Sequence, residues 1–238
     1  MRTFHNIFTD TQAAIFQDDI AKEIILSFPG TQSLQDFLTD IAFIPLPLLT
    51  APGCINCTVH SGFYIAWRSV ADDITRALSQ LRVQKPGYSV IVVGHSLGGA
   101  IASLAFTDLK AANVPIKAAY TMGAPRVGNA QYATFTDKLA GASDKQLGSL
   151  IRITHNTDGV PSLPSIEMGF RHTRTEIYQL DNASGEQTAA TTFRCFGQEA
   201  PDCSRKTAMG FINQDHLKYT GVEVLSAAAC NTTGSALG

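Results

Sequence analysis

No run of apolar residues in this 238-residue chain approaches the length that a membrane-spanning helix requires, so no segment reads as a span. Charge is sparse and balanced, with 16% charged residues and a net charge of -2. Without a basic stripe to neutralise phosphates, nucleic acid is not expected as a partner. No repeat or low-complexity linker divides the chain, and its length suffices to bury a substantial core. The opening, MRTFHNIFTDTQAAIFQDD, lacks the basic start and apolar stretch of a secretory leader, which taken alone suggests a cytosolic protein.

The five cysteines point the other way. Cys54 and Cys57 lie close together, Cys195 and Cys203 flank a short loop, and Cys230 is left over, which reads as two local disulfides and an orphan. Cys54, Cys57 and His60 could instead form half of a zinc site, but no second close pair completes a tetrahedral set, so no metal is expected. Glycosylation sequons at Asn56, Asn182 and Asn231 also suit a secreted protein.

Apolar patterning predicts a β-hairpin from strands at 6–11 and 13–17, followed by a third strand at 23–28 that stops at Pro29-Gly30. A short amphipathic helix is expected over 33–41, ended by Pro45 and Pro47. A longer helix is expected over 62–81, with Ile65, Val70, Ile74, Ala77, Leu78 and Leu81 on its apolar face. Further strands at 90–93, 117–122 and 150–154 alternate with helices at 97–112 and 130–139. Such alternation predicts βαβ crossovers and a mostly parallel central sheet flanked by helices, in one domain over 1–238.

The stretch VIVVGHSLGGAIASLA, residues 90–105, reads as a nucleophile elbow. Val90 to Val93 form a β-branched strand, and Gly94, Gly98 and Gly99 remove Cβ atoms where the chain must turn. Ser96 then sits at the tip, and the Leu97 N–H, in the first turn of the next helix, points where an oxyanion would develop. A serine needs a base and an orienting acid, which follow it in the chain on a sheet of this kind. Asp158, just past the strand at 150–154, is the expected acid. Chain order excludes His5, His60, His95 and His155 as the base, and His95 is expected to point away from the serine. His172 would need a tight return and lies among charged residues that suggest an exposed loop, which leaves His216. Thr31, after the strand that ends at Phe28, is the expected second oxyanion donor.

The segment 23–31, the GHSLGGA elbow, YTMGAPRVGN at 120–129, RITHNTDGVPSLP at 152–164 and the pair Asp215-His216 resemble, in this order, the fungal class 3 lipases. That group includes triacylglycerol, monoacylglycerol and diacylglycerol lipases and type A feruloyl esterases. The resemblance implies an α/β-hydrolase fold, Ser96, Asp158 and His216 as the triad, Thr31 and Leu97 as the oxyanion hole, and no cofactor. Three departures stand out. Phe28-Pro29-Gly30 replaces the usual Phe-Arg-Gly, and the four paired cysteines resemble the feruloyl esterase branch. Members usually also carry an N-terminal segment with a helix, so an N-terminally truncated chain, less stable than a full-length relative, is expected.

The segment at 33–49 resembles the lid of these enzymes, with Phe37, Leu38 and Ile41 as its apolar, substrate-facing residues. Its apolar character favours an acylglycerol lipase acting at a lipid-water interface. The alternatives are an esterase for feruloyl or other soluble esters, and an inactive or binding-only fold. A secreted monomer is the expected state.

Overall fold

The protein is described here from a computed structural model, which describes residues 1–30, 44–182, 186–206 and 212–224. Thr31, the expected helix at 33–41 with Phe37, Leu38 and Ile41, Cys230 and Asn231 lie outside the described residues.

An eight-stranded sheet carries the architecture, in the order β1 (Arg2–Asn6), β2 (Thr11–Asp18), β3 (Glu23–Phe28), β6 (Ser89–His95), β7 (Ile116–Met122), β9 (Leu150–His155), β11 (Glu176–Gln179), β12 (Thr192–Cys195). Strands β3, β6, β7, β9 and β11 run parallel, while β1, β2 and β12 add antiparallel edges. The middle strands are apolar because helices cover them: Ile24, Leu26, Val90 and Val92 are buried.

Among the described residues, three helices flank the sheet: α1 (Ser61–Gln84), α2 (Leu97–Ala111) and α3 (Ala130–Ala140). The His60 ring caps α1 by accepting from the Gly62 N–H at 3.1 Å, and Asn129 caps α3 by accepting from the Tyr132 N–H at 3.0 Å. Gly141 ends α3 in the left-handed region at φ 69°. α2 packs against both α1 and strands β6 and β7, so its small residues Ala100, Ala102 and Ala105 are fully buried. Trp67 of α1 meets Phe28 of β3 edge-on at 6.0 Å, and its indole donates to the buried Asp108 of α2 at 2.7 Å.

Several expectations are corrected. The first strand is Arg2–Asn6, not 6–11, because the Asn6 side chain accepts from the Phe8 and Thr9 N–H groups and turns the chain there. Ile65 is exposed, and Phe63, Ala66 and Trp67 fill the first turns of the α1 core face instead. Pro45–Pro47 is a strand, β4, in a second sheet with β5 (Thr58–His60), β8 (Gly128–Asn129) and β10 (Phe170–Arg171). Cys54 is bonded to Cys57 and Cys195 to Cys203, and with His60 capping α1 the zinc alternative has no ligand set.

Candidate active site

At the end of β6 the chain turns through Ser96, which holds φ 56° and ψ -125° before α2 begins. A non-glycine residue with such a backbone costs of order 1–3 kcal/mol unless its surroundings hold it. Here the Ser96 N–H donates to Met122 O at 2.8 Å, and Ser96 O accepts from the Gly99 N–H at 2.9 Å. Space dictates the flanking glycines: a Cβ on Gly94 would collide with the Gly98 carbonyl, and one on Gly98 with the carbonyls of Phe28 and Pro29. The elbow is thereby pressed against the end of β3.

Asp158 and His216 arrive from separate loops. Asp158 follows β9 in a turn closed by its own N–H on His155 O at 2.9 Å. His216 sits in the short 3-10 turn Gln214–Leu217. The two loops are stitched together, because the Asp215 carboxylate accepts from Asn156 Nδ2 and the Thr157 N–H, each at 3.0 Å, while Asn213 Nδ2 donates to Thr157 O at 2.8 Å. As a result His216 Nδ1 lies 2.9 Å from Asp158 Oδ2 with both side chains fully buried. The other carboxylate oxygen, Oδ1, accepts from the Val160 N–H at 2.9 Å.

Met122 and Gly123 link the serine turn to the loops that carry Asp158 and His216. Met122 binds the Ser96 amide, and a Cβ on Gly123 would lie 2.8 Å from Asp158 Oδ2 and 3.1 Å from His216 Cε1. Gly123 stands at φ 58°, so it serves both the turn and the close approach. Ser96 Oγ and His216 Nε2 are both buried and have no hydrogen-bond partner among the described residues. Buried polar atoms without a partner are rare, and in unliganded sites catalytic hydrogen bonds are often long. Leu97 opens α2, so its N–H is a first-turn donor without an acceptor in the helix.

Two further groups escape sequence reading. The Tyr219 hydroxyl donates to Asp158 Oδ2, and burial together with the Asp158 charge pushes its ionisation well above the usual phenol value, so it remains a donor. His95 packs on the loop that carries His216: its Nε2 lies 2.8 Å from His216 O, and the two rings are 4.7 Å apart. Burial first, and His216 second, push its pKa down to about 4, which keeps the ring neutral beside His216. The expectation for His172 fails, since the residue is buried and its Nε2 lies 2.7 Å from Pro161 O. Tyr219 stands three residues beyond His216 in HLKY, and that spacing is its one signal.

Among the described residues, His155, Asp181 and Asp215 bring potential metal-ligand atoms within 4.8 Å of one another. The Asp215 carboxylate is already committed to Asn156 and Thr157, so this group has a structural occupation.

Comparison with known proteins places the chain in a family. Residues 25–168 match the family described as lipase (class 3). The secreted mono- and diacylglycerol lipase A of Penicillium cyclopium is 37% identical over 171 residues, covering 71% of this chain and 52% of that protein. A lipase of Rhizomucor miehei is 30% identical over 227 residues, covering 93% of this chain and 58% of that protein. The chain thus spans about half the length of the curated relatives it matches. A crystal structure of a mutant form of MDLA from Penicillium cyclopium superposes with a TM-score of 0.83 at 30% identity, covering 93% of this chain and 79% of that one. A triacylglycerol lipase structure from Penicillium expansum gives 0.81 at 26% identity, covering 98% and 86%. With its α/β-hydrolase fold, its strained serine turn and a family match over most of its length, the chain belongs to the class 3 lipases.

Proposed function

We propose that this protein hydrolyses carboxylic esters of acylglycerols through an acyl-enzyme on Ser96. The observation that carries the reading is the pair of partnerless buried atoms, Ser96 Oγ and His216 Nε2, backed by the His216–Asp158 contact at 2.9 Å. Ser96 Oγ attacks the ester carbonyl while His216 Nε2 takes its proton. Asp158 holds the imidazole by Nδ1 and stabilises the imidazolium, and Tyr219 and the Val160 N–H hold Asp158 in turn. The carbonyl oxygen becomes an oxyanion bound by the Leu97 N–H and by Thr31. As the tetrahedral intermediate collapses, the C–O bond to the alcohol breaks and the alcohol leaves with the proton from His216. Water then attacks the acyl-enzyme by the same route, its proton passing through His216 back to Ser96. Thr31 follows Gly30, whose Cβ position is 3.5 Å from Ser96 Cβ, which supports its place at the oxyanion. Each such donor contributes roughly 3 kcal/mol to transition-state stabilisation.

The domain over 1–238 carries the segment at 33–49 as a lid, whose Phe37, Leu38 and Ile41 cover the serine in water and face lipid once moved. Two relatives named as secreted lipases and the two disulfides support an extracellular location. The disulfides Cys54–Cys57 and Cys195–Cys203 favour one second reading, an esterase for feruloyl-type soluble esters. Turnover of emulsified tributyrin against methyl ferulate separates the two. Tributyrin is the expected better substrate, and equal or faster hydrolysis of the ferulate overturns the acylglycerol reading.

A further inference from the structure

Four consecutive backbone carbonyls just beyond Asp158 are captured from two other segments. His172 Nε2 lies 2.7 Å from Pro161 O, Arg126 Nη1 donates to Ser162 O at 2.5 Å and to Pro164 O at 3.0 Å, and the Arg126 N–H donates to Leu163 O at 2.6 Å. Both capturing residues are themselves held by one carboxylate. Glu199 Oε1 accepts from Arg126 Nε at 2.9 Å and from the His172 N–H at 2.8 Å, and Oε2 accepts from Arg126 Nη2 at 2.9 Å. The arginine side chain is only 4% exposed and the glutamate 10%, so this fork is a buried, two-pronged ion pair.

We infer that Glu199 is a positioning residue for Asp158, acting through Arg126 and His172. This inference rests on the triad proposed above and concerns what keeps its acid in place. Little slack separates the held carbonyls from the carboxylate: Val160–Ser162 is a 3-10 turn, the Ser162 hydroxyl donates to Gly159 O at 2.5 Å, and the Val160 N–H holds Asp158 Oδ1. A displacement of residues 161–164 therefore passes directly to Asp158. Without Glu199, the buried Arg126 would lose its hydrogen-bonded counter-charge, and it can regain solvation only by leaving the Ser162 and Pro164 carbonyls. Burial raises the pKa of Glu199, but hydrogen bonds from Arg126 and the nearby positive charge outweigh it and hold the value at about 2, so the fork stays charged through neutral pH. The Cys195–Cys203 loop delivers this glutamate, anchored by Ala200 and Cys203 against Tyr178.

Misplacing a catalytic group by about 1 Å costs up to about a hundredfold in rate. In the full chain, Glu199→Ala is expected to lower kcat on p-nitrophenyl butyrate by roughly 10- to 100-fold per site counted with a fluorophosphonate, with KM unchanged. Leu78→Ala, a cavity in α1 remote from this loop, is the comparison for stability alone. It should lower Tm and keep kcat per site. Should Glu199→Ala fail to fold, Arg126→Lys tests the same link, because a lysine keeps the charge but cannot grip Glu199 and two carbonyls at once. A kcat per labelled site equal to wild type in the folded variant, or a loss confined to KM, overturns the inference. Absence of label on Ser96 in the wild-type protein defeats the triad reading instead, and the positioning role falls with it.

Discussion

Tyr219 and His216 share one oxygen of Asp158: the phenol donates to Oδ2, and His216 Nδ1 lies 2.9 Å from the same atom. The acid is thereby held from two sides of one short segment, since the histidine and the tyrosine are three residues apart.

Tyr219→Phe removes one donor and leaves the ring's packing in place. Loss of a buried hydrogen bond to a charged group should cost about 1.5–3 kcal/mol of stability. Because the Val160 N–H and His216 still hold Asp158, kcat is expected to fall by roughly tenfold and no further, in line with a loosened general base. Thermal melts and p-nitrophenyl butyrate kinetics check both values. An unchanged rate would remove Tyr219 from the account of the site.

The glycine at the start of α2 is a matter of space. Gly98→Ala places a methyl group into the carbonyls of Phe28 and Pro29, so the elbow must move away from β3. Overpacking of this kind costs typically 1–3 kcal/mol. The fluorophosphonate labelling rate should fall more than stability does, because the elbow carries Ser96. A variant that labels at the wild-type rate contradicts this packing.

Acidification should destabilise the protein through its buried imidazoles. Burial pushes His60 and His95 from 6.5 to about 4, so between those values the unfolded chain binds protons that the folded chain does not. Stability therefore rises with pH over that window and falls as pH drops from 6.5 towards 4. Glu199, held at about 2, continues the loss below the ordinary carboxylate range, while Asp108 and Asp137, raised by burial, oppose it. His60 isolates the imidazole part, because its unprotonated Nδ1 caps α1. His60→Asn keeps a cap that does not titrate, and its Tm should decline less than that of wild type between pH 7 and 5, each measured by calorimetry.

The parallel core of the fold was readable because its strands are continuous β-branched runs punctuated by glycine and proline: β3 is found at 23–28, and Val90 to Val93 lie within β6. The elbow and the triad candidates were readable because their chemistry imposes residue types and chain order. The small second sheet was not, since strands of two or three residues such as β8 and β10 carry no periodicity and exist only through long-range pairing. Ile65 misled because its spacing fits a core stripe, whereas Phe63 and Trp67, one turn apart, decide which side of α1 faces inward. The neighbouring charges Arg171, Arg174 and Glu176 suggested exposure for His172, yet it is buried and its N–H donates to Glu199, whose ion-pair partner Arg126 lies 73 residues away in the sequence. No local pattern announces such a pair.

The most direct test of the central claim is covalent. Folded wild-type protein treated with a fluorophosphonate and mapped by peptide mass spectrometry should carry one adduct, on Ser96, and both Ser96→Ala and His216→Ala should abolish it. Folded protein that takes up no label, or that is labelled on another residue with Ser96 intact, would contradict the reading of this site as an ester hydrolase.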